Sequence, residues 1–263
     1  MSARMLVFLI FVQILLMPGP AVAANGSDTR EELRYQVSLG PWDDVARVHL
    51  VLKELEPGRY LAEFSGAAQG MWKLLSRWLP ERYQTEMIYR DGRLKPLVYQ
   101  EKFIDKGRHV TKEYRFDYEN NRLTLWQQTG GDDKVRKWET PLTEPVYDLL
   151  SLFYNVRIGT LGTLQGGSSL RVAVLSSKPQ EMIFRIADKT SQGLKVMLNF
   201  RPPDSTTEDH YFIFLNHQGV PTLAWTRVTL FGKLAGRLLN PGEIRENWLP
   251  SPSPAASPVL GAR

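Results

Sequence analysis

Alternation of apolar and polar residues dominates the chain from Leu33 onward. Leu33, Tyr35, Val37 and Leu39 are interleaved with Arg34, Gln36 and Ser38, so an extended backbone there carries one apolar and one polar face. After a break at Gly40-Pro41, Val48, Leu50 and Leu52 repeat the pattern against Arg47, His49 and Val51. Pro57-Gly58 signals a turn, and Arg59 to Phe64 resumes the extended pattern. Turns this short cannot join parallel strands, so the three runs predict an antiparallel meander with one wet face.

The period changes at 71–79. Met71, Leu74, Leu75, Trp78 and Leu79 fall at i, i+3, i+4, i+7 and i+8, with Lys73, Ser76 and Arg77 opposite and Trp72 on the flank. That spacing predicts a short amphipathic helix ended by Pro80. Strands resume from Tyr83 to Tyr89, and Asp91-Gly92 is a strong hairpin signal before a return strand from Leu94 to Ile104. Further strands are predicted over 110–118 and 123–128. A second helix follows over 145–154, where Pro145 suits a first turn and Val146, Leu149, Leu150, Phe153 and Tyr154 repeat the helical spacing. Strands close the pattern over 169–176, 182–187, 194–200, 210–215 and 223–231, with Gly232 to Leu239 ending the sheet. The fold class expected is therefore mainly β: a curved antiparallel sheet, as a half-barrel or β-spiral, with two short amphipathic helices packed against it.

The ends of the chain read differently. Arg4 precedes an apolar run from Met5 to Met17, Pro18-Gly19-Pro20 breaks it, and Ala21-Val22-Ala23 supplies a small-x-small cleavage pattern. The run is short of the roughly 20 residues a spanning helix needs. Residues 1–23 are thus expected to be a signal peptide removed after Ala23, which places the mature chain in the bacterial periplasm. No cysteine follows for lipid attachment, and the chain has none anywhere, which removes disulfides, thiol catalysis and thiolate metal sites. Residues 24–249 are expected to form a single β-rich domain. Residues 250–263, rich in proline and serine, are expected to be a disordered tail. The formal net charge of +5 suits peripheral contact with an anionic membrane surface, and an exported chain is not expected to meet nucleic acid.

A search for chemistry yields no nucleophile elbow, phosphate loop, zinc-protease helix or dinucleotide fingerprint. His210 and His217 stand near Glu208 and Asp209, but opposite ends of one strand lie roughly 20 Å apart, too far for shared coordination. The acidic doublets Asp43-Asp44 and Asp132-Asp133 lack the ligand ladder of a calcium loop and lie beside turns. No catalytic residue, metal or cofactor is expected. The aromatic residues around the helices carry the alternatives. They are either ordinary core between helix and sheet, or the lining of an apolar groove that could hold an acyl chain. For the second reading the groove or lid residues are Met71, Trp72, Leu75, Trp78, Phe153 and Tyr154.

The order of elements resembles the bacterial envelope family known as domain of unknown function 3108. The resemblance runs from about Leu33 to Leu239, on Arg34-Tyr35-Gln36-Val37-Ser38, Gly58-Arg59-Tyr60, the 70–79 helix, the hairpin Tyr89 to Pro96, Tyr114-Arg115-Phe116-Asp117, Pro145 to Phe153, and Gly219-Val220-Pro221 through Gly232. It implies the periplasm and a curved antiparallel sheet like those of lipoprotein carriers, and it transfers no catalytic residue. The function expected is a non-enzymatic periplasmic binding protein in envelope maintenance, holding a lipid or lipidated partner. The alternatives are a protein-binding envelope scaffold with a packed interior and, third, a glycan hydrolase with carboxylates gathered from distant strands.

Overall fold

The computed structural model describes residues 28–70, 80–162, 165–190, 193–200, 209–228 and 231–243. The expected signal peptide, the first expected helix at 71–79 and the expected tail lie outside them. The chain forms β1 (Asp28–Leu39), β2 (Trp42–Glu56), β3 (Arg59–Ala68), β4 (Pro80–Arg90), β5 (Arg93–Asp105), β6 (Arg108–Asp117), β7 (Arg122–Thr129), β8 (Val135–Pro141) and β9 (Val146–Tyr147). Helix α1 (Leu149–Arg157) follows, then β10 (Ser169–Leu175), β11 (Pro179–Thr190), β12 (Gly193–Phe200), β13 (Asp209–Leu215), β14 (Pro221–Val228) and β15 (Gly232–Leu238).

All fifteen strands belong to one sheet, in the order β8-β7-β6-β5-β4-β3-β2-β1-β15-β14-β13-β12-β11-β10-β9. Its neighbours are antiparallel, except that β9 runs parallel to β10. The hairpin chemistry read from the sequence produces this meander. At Asp91-Gly92 both residues have positive φ, the twist that matches two antiparallel strands. Pro96 lies at the β4–β5 irregularity between Glu86 and Met87, where a missing N–H does least damage to the ladder.

The two edge strands, β8 and β9, are joined by residues 142–145 alone. That link reaches at most roughly 18 Å, whereas fifteen flat strands would extend about 67 Å. The sheet must therefore curl until its edges approach. The Tyr114 hydroxyl on β6 accordingly donates to the Ser176 carbonyl beyond β10, at 3.3 Å, from the other arm of the sheet. Inward side chains then meet as core: Leu33, Tyr60, Met87, Leu94, Tyr99 and Leu123 are each no more than 1% exposed.

Helix α1 fills the interior between the arms. Leu150 and Tyr154 join the core of β1–β7, while Leu152 joins that of β10–β13. The helix begins later than its apolar spacing predicts, at Leu149 and not at Pro145. Val146 and Tyr147 are taken by pairing with Ala173 and Val174 of β10, and Asp148 then caps the helix. It ends at Arg157, with Gly159 in the left-handed region just beyond. It is the only α-helix among the described residues, and the first expected helix falls outside them. Strand β8 is also unforeseen. Its side chains are mostly exposed and three of its seven are charged, which hides the alternation but suits an edge that must not pair further.

Candidate functional site

Strands β1, β3, β5 and β7 finish at one end of the rolled sheet, here called upper, which carries the β1–β2, β5–β6, β7–β8 and β14–β15 turns. Below that end an aromatic ladder crosses the concave face. Phe64, Tyr83, Tyr99, Tyr114 and Trp138, from β3, β4, β5, β6 and β8, follow one another at ring-centroid distances of 5.9, 6.1, 5.6 and 6.0 Å. The register creates this row. Phe64 pairs with Tyr83, Tyr99 pairs with Tyr114, and Leu125 lies between Tyr114 and Trp138. Burial raises the hydroxyl pKa of Tyr83, Tyr99 and Tyr114, with Glu101 adding to each shift.

Above the ladder the concave face stays open among the described residues. A pocket of about 410 Å³ there is lined by Phe103, Asp105, Lys106, Arg108, Val110, Lys112, Gln127 and Thr129. Alternation along β5 and β6 puts Glu101, Phe103, Val110 and Lys112 on the same face as Tyr99 and Tyr114. The Lys112 ammonium lies 5.3 Å from the centre of the Phe103 ring and 3.8 Å from the Glu101 carboxylate. Burial pushes the Glu101 carboxyl up, opposed by Lys112 and the Tyr99 hydroxyl. The lining offers two apolar side chains, Phe103 and Val110, and three cations against the single carboxylate of Asp105, with Glu101 beside Lys112 drawn toward its neutral form. That is chemistry for holding an amphipathic anion. Among the described residues no three His, Asp or Glu side chains gather as a metal site.

Of the residues expected from sequence, Met71, Trp72, Leu75 and Trp78 lie outside the described residues. The positions that bracket them do not. Gln69 donates its backbone N–H to Val45 at 2.9 Å beside Gly70, and Pro80 pairs with Phe103, so both ends of that segment open at the pocket's end of the sheet. Phe153 and Tyr154 lie together on α1, edge to face at 4.9 Å, with the Arg157 guanidinium over both rings. Tyr154 is fully buried, Phe153 is partly buried, and neither lines the pocket. Sequence reading missed Glu101, Phe103 and Lys112. Their signal was two charged residues at inward positions of strands whose alternation was otherwise regular.

The lower interior is polar where α1 meets the sheet. Asp148 Oδ1 accepts from the Leu150 and Ser151 N–H groups at 2.9 and 3.1 Å, and from the Thr85 hydroxyl at 2.7 Å. Asn155 bonds both backbone groups of Leu94, accepting at 3.1 Å and donating at 2.7 Å. Arg157 reaches Glu31 of β1 through both terminal guanidinium nitrogens, one of them at 2.8 Å. These contacts fix the helix against the first arm, which makes the lower interior a support and leaves the upper pocket as the open site.

No curated protein matches this chain. A family model does match residues 34–206, a span that takes in the ladder, the pocket and α1. By that match the chain belongs to the family described as protein of unknown function (DUF3108).

Proposed function

We propose that this is a non-enzymatic binding protein of the bacterial periplasm, which holds an amphipathic anion, a lipid or a lipidated partner, in the upper end of a half-barrel-like sheet. The observation that carries the reading is the open pocket in which Lys112 stands over Phe103 above a five-ring aromatic ladder. Its volume falls in the range of pockets that take small ligands. An acyl chain would lie against Phe103 and Val110, and its acidic head would meet Lys112, with Lys106 and Arg108 also in the lining. Met71, Trp72, Leu75 and Trp78, the groove or lid residues expected from sequence, belong to the segment between Gly70 and Pro80, whose described flanks lie at this end. The sequence of the first 23 residues supplies the export route.

The test is native mass spectrometry of the chain from Ala24, purified gently from periplasm, with organic extraction of anything bound. A stoichiometric phospholipid or fatty acid, lost in a folded Lys112→Glu variant, is the expected result. An empty protein that takes up no fatty acid on titration would sink the proposal.

A further inference from the structure

The convex side of the second arm carries a feature that the pocket does not use. Register places Arg185, Met197, Phe212, Trp225 and Ala235 in one outward row across β11 to β15. The adjacent rows hold Lys195, Phe214, Leu223 and Arg237 on one side, and Arg227 and Lys233 on the other. Outward strand positions on a soluble sheet are ordinarily polar. Here the centre is apolar and aromatic, and five cations surround it.

Phe212 and Trp225 stack at 4.2 Å and 17°. The stack is bracketed by ammonium groups, with Lys195 at 5.7 Å from the Phe212 ring and Lys233 at 5.2 Å from the Trp225 ring. Met197, Phe212, Phe214, Leu223 and Trp225 are all partly exposed, and none belongs to a core cluster.

The charges of the two arms are treated differently, although Arg171 of β10 meets Glu181 of β11 at 3.4 Å on the second. On the convex side of the first arm, cations meet carboxylates: Lys53 and Arg82 share Glu63, Arg59 meets Glu86, and Arg115 and Lys134 share Glu113. Among the residues whose side chains are described, Arg185, Arg227, Lys233 and Arg237 have no such partner and all four are exposed, while Lys195 stands opposite Asp188 in the β11–β12 ladder. Unneutralised cations ringing an aromatic centre match one occupant well, a bilayer surface bearing anionic headgroups. Aromatic rings prefer the headgroup level there, and lysine and arginine meet lipid phosphates.

We propose that the convex face of β11–β15 seats the protein on an anionic phospholipid surface. The proposal is independent of the pocket, because it involves neither β5 nor β6.

The experiment is co-flotation of the chain from Ala24, which removes the apolar N-terminal segment, with vesicles of phosphatidylglycerol and phosphatidylethanolamine or of phosphatidylcholine alone. The protein is expected to float with the anionic vesicles, to stay behind with the neutral ones, and to be released at about 0.5 M salt, where screening is strong. Lys195→Glu with Lys233→Glu should weaken partition on the order of tenfold or more. Trp225→Ser should weaken it with the fold unchanged by circular dichroism, while Lys112→Glu should leave it intact. Equal binding to neutral vesicles would overturn the proposal. So would indifference to the charge reversal, or capture by an acidic protein without any vesicle binding.

Discussion

Arg157, the last residue of α1, forms a buried two-pronged ion pair with Glu31 near the start of β1, each side chain only 1% exposed. The pair ties the centre of the sheet to the helix between its arms, and Arg157 also covers the Phe153 and Tyr154 rings. Removing one partner strands the other charge in the interior. Arg157→Met should therefore cost about 3–5 kcal/mol, and Glu31→Leu a similar amount. The double variant should recover most of that loss, since an apolar pair of similar volume avoids the desolvation cost. Urea denaturation of the four proteins tests this, and additive losses would refute it.

Asn155 satisfies the N–H and the C=O of Leu94 at once, at a point where β5 faces the helix. Alanine would leave both backbone groups dry. A cost on the order of 1–3 kcal/mol per stranded group follows, larger than the effect of alanine at a solvated helix position. Hydrogen exchange at the Leu94 amide should accelerate in the Asn155→Ala protein even where global unfolding does not.

Asp148 lies fully buried under the first turn of α1, and burial raises its carboxyl pKa despite three donors that pull it down. The folded protein then holds this proton more tightly than the unfolded chain, whose value is about 3.9. The resulting stability is present in full below the unfolded pKa and is lost as pH rises through the folded pKa. Asparagine keeps an accepting oxygen for the cap but cannot titrate. The stability difference between wild type and Asp148→Asn should thus shift against the wild type as pH is raised from about 4, in denaturation series at several pH values. A difference constant with pH would show that the carboxyl is ionised in both states.

Tyr99 stands in the middle of the aromatic ladder, fully buried and stacked between Tyr83 and Tyr114. Truncation to alanine should cost about 3–5 kcal/mol through the cavity it leaves. Tyr99→Phe keeps the ring and loses only the hydroxyl that opposes the upward shift of Glu101. It should be mild in thermal melts, and it should move the Glu101 titration further up when followed by carboxyl-resolved NMR.

Gly40 turns the chain between β1 and β2 with positive φ, and a Cβ there would strike the Phe231 carbonyl of the β14–β15 turn. Gly40→Ala therefore combines backbone strain with a backbone collision, and it should lower the melting temperature more than Gly92→Ala. Gly92 also has positive φ but open space around it.

Much of the sheet was legible in the sequence because strand burial writes itself as period two. Leu33, Tyr35, Val37 and Leu39 were assigned to one face and lie there, and the Asp91-Gly92 hairpin turns where its chemistry demands. What could not be read depends on partners distant in sequence. The pairing of Val146 and Tyr147 with β10 cuts a turn from the expected helix, and no local spacing announces it. The pocket is legible only once register sets Lys112 beside Glu101 and Phe103. The convex aromatic patch fails for the opposite reason. Phe212 lies in a strand apolar on both faces, and in the strand of Trp225 the more apolar face is the outward one, so alternation cannot tell core from surface.

The seam at the middle of the sheet has a topological consequence. Strand β1 pairs with β15 from Leu39–Leu234 to Tyr35–Leu238, and Leu239 donates on to Arg34, so the first and last of the described strands lie side by side. A circular permutant that links these ends and opens the chain at Thr143–Glu144 would have all fifteen strands in spatial order. In the natural order, each arm can zip up from hairpins that are neighbours in sequence. Only the seam must wait for a closure spanning nearly the whole chain, and this makes it the pairing expected to form last.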